Sequence, residues 1–258
     1  HRARRRHLAR QRHDAVRRHR RDRRRPGGVL GLAVRRPSEI GHEAFEADAA
    51  IGAPPIEGRY GLIVGNMSPN KNPEPAIEAL ALLAKRGLSI PMLHVGRDEA
   101  DLLGAAVRRH PDIAPIKSIQ GVNDAILKAA YAHAAFFINS SLHEGFCLPV
   151  VEAQSFGAPV IASNRSALPE VAGDGAILVD PTSPEKIADA IELIWTDDAA
   201  AHDLSQRGRK NAERFSWRIA AKMTADIIER SLAPSAAQTA ASSAHSEPPI
   251  DIKASSYA

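Results

Sequence analysis

The chain has 258 residues, 44% of them hydrophobic and 25% charged, with a single cysteine. One cysteine excludes an intrachain disulfide framework, and no apolar run reaches the roughly 18 residues that a membrane-spanning helix needs. The net charge of +4 is unevenly placed: residues 1–25 hold 13 of the 34 Lys and Arg with only two acids, Asp14 and Asp22, so the remainder is mildly acidic.

Residues 1–25 form an Arg/His-rich arm without aromatic residues or an apolar period, and the expectation is disorder. Such an arm offers no base-stacking platform, so nucleic-acid binding is disfavoured, and peripheral contact with an anionic membrane is the weaker remaining use. The sequence starts at His1 with no signal-peptide core, and reads as a piece of a longer protein or as a frame opened at the wrong start. Residues 26–58, with Gly27, Gly28, Pro37, Pro54 and Pro55, read as a linker or remnant.

From Tyr60 the pattern changes. Tyr60–Gly65 predicts a buried strand, Pro73–Arg86 a helix stopped by Gly87, and Pro91–Gly96 a second strand. Asp98–Arg109 predicts a helix, Ile116–Ile119 a short strand, and Asn123 or Asp124 can cap a helix running to His133. Ala135–Asn139 is a buried strand, and Pro149–Phe156 a helix with proline at its first position and Gly157 as its stop. Pro159–Ser163 and Ala176–Val179 are strands, and Ser183 caps a helix over Pro184–Trp195. Helices over 199–215 and 217–232 complete a domain spanning 59–232, and the Ala/Ser-rich tail 233–258 is expected to be disordered. About six strands alternating with helices predict an α/β fold, a Rossmann-like doubly wound parallel sheet. Ligands in such sheets sit beyond the carboxyl ends of the strands, which singles out loops 65–72, 96–98 and 140–148.

The loop 140–148 ends at a helix start, where free backbone N–H groups and the helix dipole suit a diphosphate. Gly145 lets backbone approach a ligand closely, while Glu144 and Glu152 can border that ligand at different ends. A bland reading stands beside this one: the dipole alone favours a glutamate early in a helix, and Glu144 can simply be solvated. Lys71 is the cation of loop 65–72 and can act as a point charge on a phosphate, or be solvated. No P-loop spacing and no G-x-G-x-x-G after a strand are present, which disfavours ATP- and NAD-type binding. His133, His143 and Cys147 lack zinc-ligand spacing, no serine occupies a nucleophile elbow, and Asp197-Asp198 follows a helix end.

The segment 60–230 resembles the C-terminal donor-binding domain of GT-B glycosyltransferases, specifically the mannosyltransferase-like members of retaining family 4. The resemblance is carried by Glu144–Glu152 (E-x7-E) within HEGFCLPVVEAQSFGAPVIAS, by SNRSALPEVAGDGAILVDP, by VGNMSPNKN, by QGVNDAILKAAYAHA and by FSW at Phe215–Trp217. It implies transfer of a hexose, mannose among the candidates, from a GDP- or UDP-linked donor with retained configuration and no bound metal or other cofactor. By resemblance, Lys71 and Glu144 are the catalytic pair, on the donor diphosphate and beside the donor sugar. Gly145, Phe146, Cys147 and Leu148 hold the phosphates through their backbone, Glu152 grips the ribose, and Gly121 and Val122 border the base. Asn66 stands in the donor loop where many members carry arginine, and Cys147 where glycine is commonest, a change the loop tolerates if its backbone angles are ordinary. A glycan or lipid-linked acceptor would be held by an N-terminal domain that residues 1–58 are too short and polar to supply. The alternative is therefore a non-catalytic nucleotide-sugar-binding module or an inactive fragment. Either would be cytoplasmic, at the inner face of the membrane if the acceptor is lipid-linked.

Overall fold

The computed structural model describes residues 52–232; the Arg/His-rich arm, residues 26–51 of the expected linker and the Ala/Ser-rich tail lie outside the described residues. Six strands, β1 Gly61–Val64, β2 Met92–Val95, β3 Ile116–Ile119, β4 Phe136–Asn139, β5 Val160–Ser163 and β6 Ala176–Val179, form one sheet in the order β3-β2-β1-β4-β5-β6. Every pairing is parallel. The doubly wound Rossmann-like sheet expected from the alternation is thus present, in the strand order that reverses direction between β1 and β4.

The helices are α1 Pro73–Lys85, α2 Leu102–Arg109, α3 Asp124–Ala132, α4 Leu148–Ser155, α5 Leu168–Ala172, α6 Pro184–Thr196, α7 Asp198–Ala212 and α8 Trp217–Leu232. They cover both faces of the sheet, so successive strand residues enter opposite cores. Phe136 and Ile138 of β4 pack with Met92 against α1 and α6, whereas Phe137 packs with Leu93 and Val95 against α3 and α4. Central strands β2, β4 and β5 are buried along their whole length. Edge strand β3 (IKSI) exposes the polar residues Lys117 and Ser118 at its centre.

Local signals set most helix ends. Asn123 accepts from the Ile126 N–H, Ser183 from the Lys186 N–H and Asp197 from the Ala200 N–H, each satisfying an amide that the first helical turn leaves free. Asp197 therefore ends α6 and starts α7. Gly87, with φ of +81°, closes α1.

Several elements differ from expectation, among them α7, which ends at Ala212 rather than 215. The helix expected from Asp98 starts only at Leu102, because the Asp98 carboxylate accepts from the Leu102 and Gly104 amides and Asp101 takes a left-handed φ of 55°. Helix α4 begins at Leu148, which places Pro149 at its second position and Glu152 in its second turn. The dipole of a first turn therefore does not account for Glu152. Helix α5, absent from the sequence reading, is five residues long with Pro169 inside it, too short to show a period. Among the described residues no helix is long and apolar enough to cross a membrane.

Candidate functional site

The crevice at the carboxyl ends of β1 and β4 is lined by Val64, Lys71, Asn139, Ser140 and Ser141. Loop 65–72 turns through a short 3-10 segment, Pro69–Lys71, and Asn72 follows with a left-handed φ of 48°. This turn is stitched to the loops after β4 and β6: the Asn72 side-chain amide donates to the Ser140 carbonyl at 3.3 Å and to the Pro181 carbonyl at 2.8 Å, and the Ser140 hydroxyl donates to the Asn72 carbonyl at 2.9 Å. The Leu142 N–H donates to the Asn70 carbonyl at 2.9 Å. The result brings two residues 73 positions apart into contact. Lys71 Nζ lies 2.6 Å from Glu144 Oε1, which also accepts from the Ser141 hydroxyl at 2.8 Å. Lys71 is thus neither solvated nor an isolated charge, and both side chains of the pair are largely buried, 23% and 14% exposed.

Two features outside the expected site set this geometry. Fully buried His94 places Nε2 at 2.9 Å from the Gly65 carbonyl and Nδ1 at 3.2 Å from the Ser118 hydroxyl. A carbonyl only accepts, so Nε2 carries a proton and donates to Gly65, while Nδ1 and the Ser118 hydroxyl, which can donate or accept, share the second bond. Gly96 sits so close that a Cβ there would lie 2.2 Å from the Gly65 oxygen, and only glycine fits. Ser166 holds the other side, its hydroxyl donating to the Glu144 carbonyl at 2.7 Å. Serines carry no motif of their own, and nothing in the spacing points to Ser141 or Ser166.

The start of α4 leaves several amides free. Among the described residues, the backbone N–H groups of Gly145, Phe146, Cys147 and Leu148 have no hydrogen-bond partner. Gly145 and Leu148 are exposed, whereas the Phe146 ring turns inward and meets Phe215 edge-on at 5.4 Å. Cys147 corrects the sequence reading: its angles, φ 79° and ψ 70°, are left-handed rather than ordinary. The buried thiol accepts from the Asn139 amide at 3.3 Å, and burial, with the Glu144 charge nearby, pushes its pKa up to about 12.

Glu152, one turn into α4, faces α3. Its Oε2 accepts from the buried Tyr131 hydroxyl at 2.6 Å. Burial raises the Glu152 carboxyl above its ordinary range, the Tyr131 hydrogen bond opposes that, and the Asp124 charge adds to it. Asp124 opens α3 directly after the Gly121–Asn123 turn, in which Gly121 is exposed and Val122 half-buried. Asn66 has a different occupation: its Oδ1 accepts from the Arg97 N–H at 2.9 Å and ties loop 65–72 to the loop after β2. Tyr131 was missed as a site residue; the available signal was a lone aromatic hydroxyl on an alanine-rich helix, which needs a partner once buried. Glu74, Glu78 and His110 bring ligand atoms within 4.8 Å of one another, but Glu74 is already paired with Arg109.

Residues 45–211 match the family model described as glycosyl transferases group 1. The chain belongs to this family. O-antigen chain mannosyltransferase B of Escherichia coli is 35% identical over 161 residues, covering 61% of this chain and 42% of that protein. The chain thus spans about two fifths of that relative's length. Sucrose-phosphate synthase from Thermosynechococcus elongatus superimposes with a TM-score of 0.60 at 24% identity, covering 68% of this chain and 46% of that one. The C-terminal domain of a group 1 glycosyl transferase from Francisella tularensis gives a TM-score of 0.51 at 25% identity, covering 59% of this chain and 83% of that one. The fold is the C-terminal half of a GT-B glycosyltransferase, as the sequence motifs implied.

Proposed function

We infer that the chain is the donor-binding half of a retaining hexosyltransferase of the family 4 type, taking mannose or a related hexose from GDP or UDP. The observation that carries this reading is the Lys71–Glu144 pair beside four free amides at the start of α4, all at the sheet's switch point. The donor diphosphate lies on the amides of Gly145 to Leu148 and draws Lys71 toward it. As the bond between anomeric carbon and phosphate breaks, negative charge grows on the departing diphosphate, and Lys71 and the helix start stabilise it. Glu144 borders the donor sugar, Glu152 accepts hydrogen bonds from the ribose hydroxyls, and the Gly121–Val122 backbone borders the base. Asn66 acts indirectly, by fixing loop 65–72 through Arg97. The acceptor, a glycan or lipid-linked saccharide, is held by an N-terminal domain, and its hydroxyl bonds the anomeric carbon on the face the diphosphate leaves.

Calorimetric titration of the full chain with GDP, UDP and their hexose conjugates tests the reading. Binding is expected, with Lys71→Met and Glu152→Ala each weakening it by about tenfold. A folded chain with no affinity for any nucleotide would overturn it. Product formation by the chain with a soluble acceptor would instead refute the assignment of acceptor binding to another domain.

A further inference from the structure

Tyr131 lies in the last turn of α3 and is 1% exposed. Its ring stacks on Phe156, centroids 6.1 Å apart and planes 1° from parallel, and meets Phe137 edge-on at 6.0 Å. The preceding residue is tied down as well, because the Tyr60 hydroxyl donates to the Ala130 carbonyl at 2.9 Å. A phenol fixed this firmly on three sides has its hydroxyl at a set point in space. That point is 2.6 Å from Glu152 Oε2, and among the described residues the Glu152 carboxylate makes no other hydrogen bond.

A glutamate has three side-chain torsions, and the last of them, which turns the carboxylate plane, is broad and soft. Two vicinal hydroxyls are gripped well only when that plane is held, since both oxygens must meet them together. The Tyr131 bond uses one lone pair of Oε2 and stops the rotation, so that Oε1 and the remaining lone pair of Oε2 are presented as one fixed edge. A hydroxyl that merely needed a partner could have used a backbone carbonyl, as Tyr60 does.

We propose that Tyr131 is the positioning residue for Glu152, and that its hydroxyl makes the site select ribonucleotides over deoxyribonucleotides. The proposal rests on the reading that Glu152 faces the ribose. Tyr131 touches no ligand itself. Its contribution is visible only with a ligand that carries the ribose hydroxyls, which separates it from a role in packing.

The experiment titrates the full chain and its variants with GDP and UDP and with their 2′,3′-dideoxy counterparts. The wild type is expected to prefer the ribose form, and Glu152→Ala to lose that preference. Tyr131→Phe keeps the ring and its packing, and should weaken ribonucleotide binding about tenfold while dideoxynucleotide affinity stays within about twofold. Phe156→Leu, which loosens the stacking but keeps the hydroxyl, should lower the preference less than Tyr131→Phe does. Partial unfolding of a variant scales both dissociation constants alike, so the ribose-to-dideoxy ratio remains readable. If Glu152→Ala removes the preference and Tyr131→Phe does not change it, or weakens both ligands equally, the role of Tyr131 is refuted and the ribose reading stands. If the wild type shows no preference, or Glu152→Ala retains it, the ribose reading itself fails, and the proposal with it.

Discussion

Lys71→Met and Glu144→Gln, alone and together, measure how much of the site is held by one ion pair. The contact is 2.6 Å, with the two side chains 23% and 14% exposed. Exposed pairs contribute about 0.2–1 kcal/mol, whereas leaving one member of a buried pair alone costs about 3–5 kcal/mol. This pair lies between those limits, and a coupling of about 2 kcal/mol is expected from a urea-denaturation double-mutant cycle. Lys71→Met should be the more damaging single change, because it leaves the more buried carboxylate with only the Ser141 hydroxyl. Pyrophosphate titration supplies the functional half. Glu144→Gln frees Lys71 and should tighten pyrophosphate binding several-fold, while Lys71→Met should weaken it about tenfold. A coupling below about 0.5 kcal/mol would mean that the hydrogen bonds of Asn72 and Ser140 hold the loops without the pair. Equal losses of pyrophosphate affinity in both variants would refute the competition between Glu144 and phosphate for Lys71.

Cys147 gives a second prediction from its left-handed backbone: Cys147→Gly should be more stable than Cys147→Ala by about 1 kcal/mol in urea melts. The reverse order would show that φ is negative in solution. As the single cysteine, buried and with its pKa near 12, Cys147 should react with a disulfide reagent only after denaturation. Glu152 carries a pH dependence. Burial raises its native carboxyl above the ordinary 4.5, so the stability it contributes is present below that value and lost as pH rises through the native one. Wild type should therefore lose stability relative to Glu152→Gln as pH rises above about 4.5, and a constant difference in urea midpoints would contradict this. Gln154 is fully buried, donating to the Ala172 carbonyl at 2.9 Å and accepting from Asn211 at 2.7 Å. Gln154→Met strips both partners and should cost about 2–4 kcal/mol; a loss under about 1 kcal/mol would show that water or repacking replaces them.

The strands and long helices were legible because each is written by its nearest neighbours in sequence. Ile116–Ile119, Ala176–Val179 and Trp217–Leu232 are present with the expected bounds, and Asn123 and Ser183 cap as their chemistry requires. The delayed start of α2 was not legible, because an aspartate ahead of an apolar run signals a cap without saying how many residues later the turn begins. Phe146 showed a similar limit: a loop aromatic gives no sign of its inward turn onto Phe215, which comes from the turn between α7 and α8 about seventy residues later in the chain.

The sequence by itself determined an α/β domain, the loops that flank its crevice, and the E-x7-E spacing that puts Glu144 before a helix and Glu152 within it. All of these follow from periodicity, capping and turn chemistry, which act over a few residues. Tertiary structure decided what those residues touch. Only sheet order brings β1 beside β4 and so Lys71 onto Glu144, and only the packing of α3 on α4 sets the Tyr131 hydroxyl against Glu152. The physical reason is range: an ion pair 73 positions apart leaves no mark on the local pattern of either segment, and it exists only once the chain has closed around it.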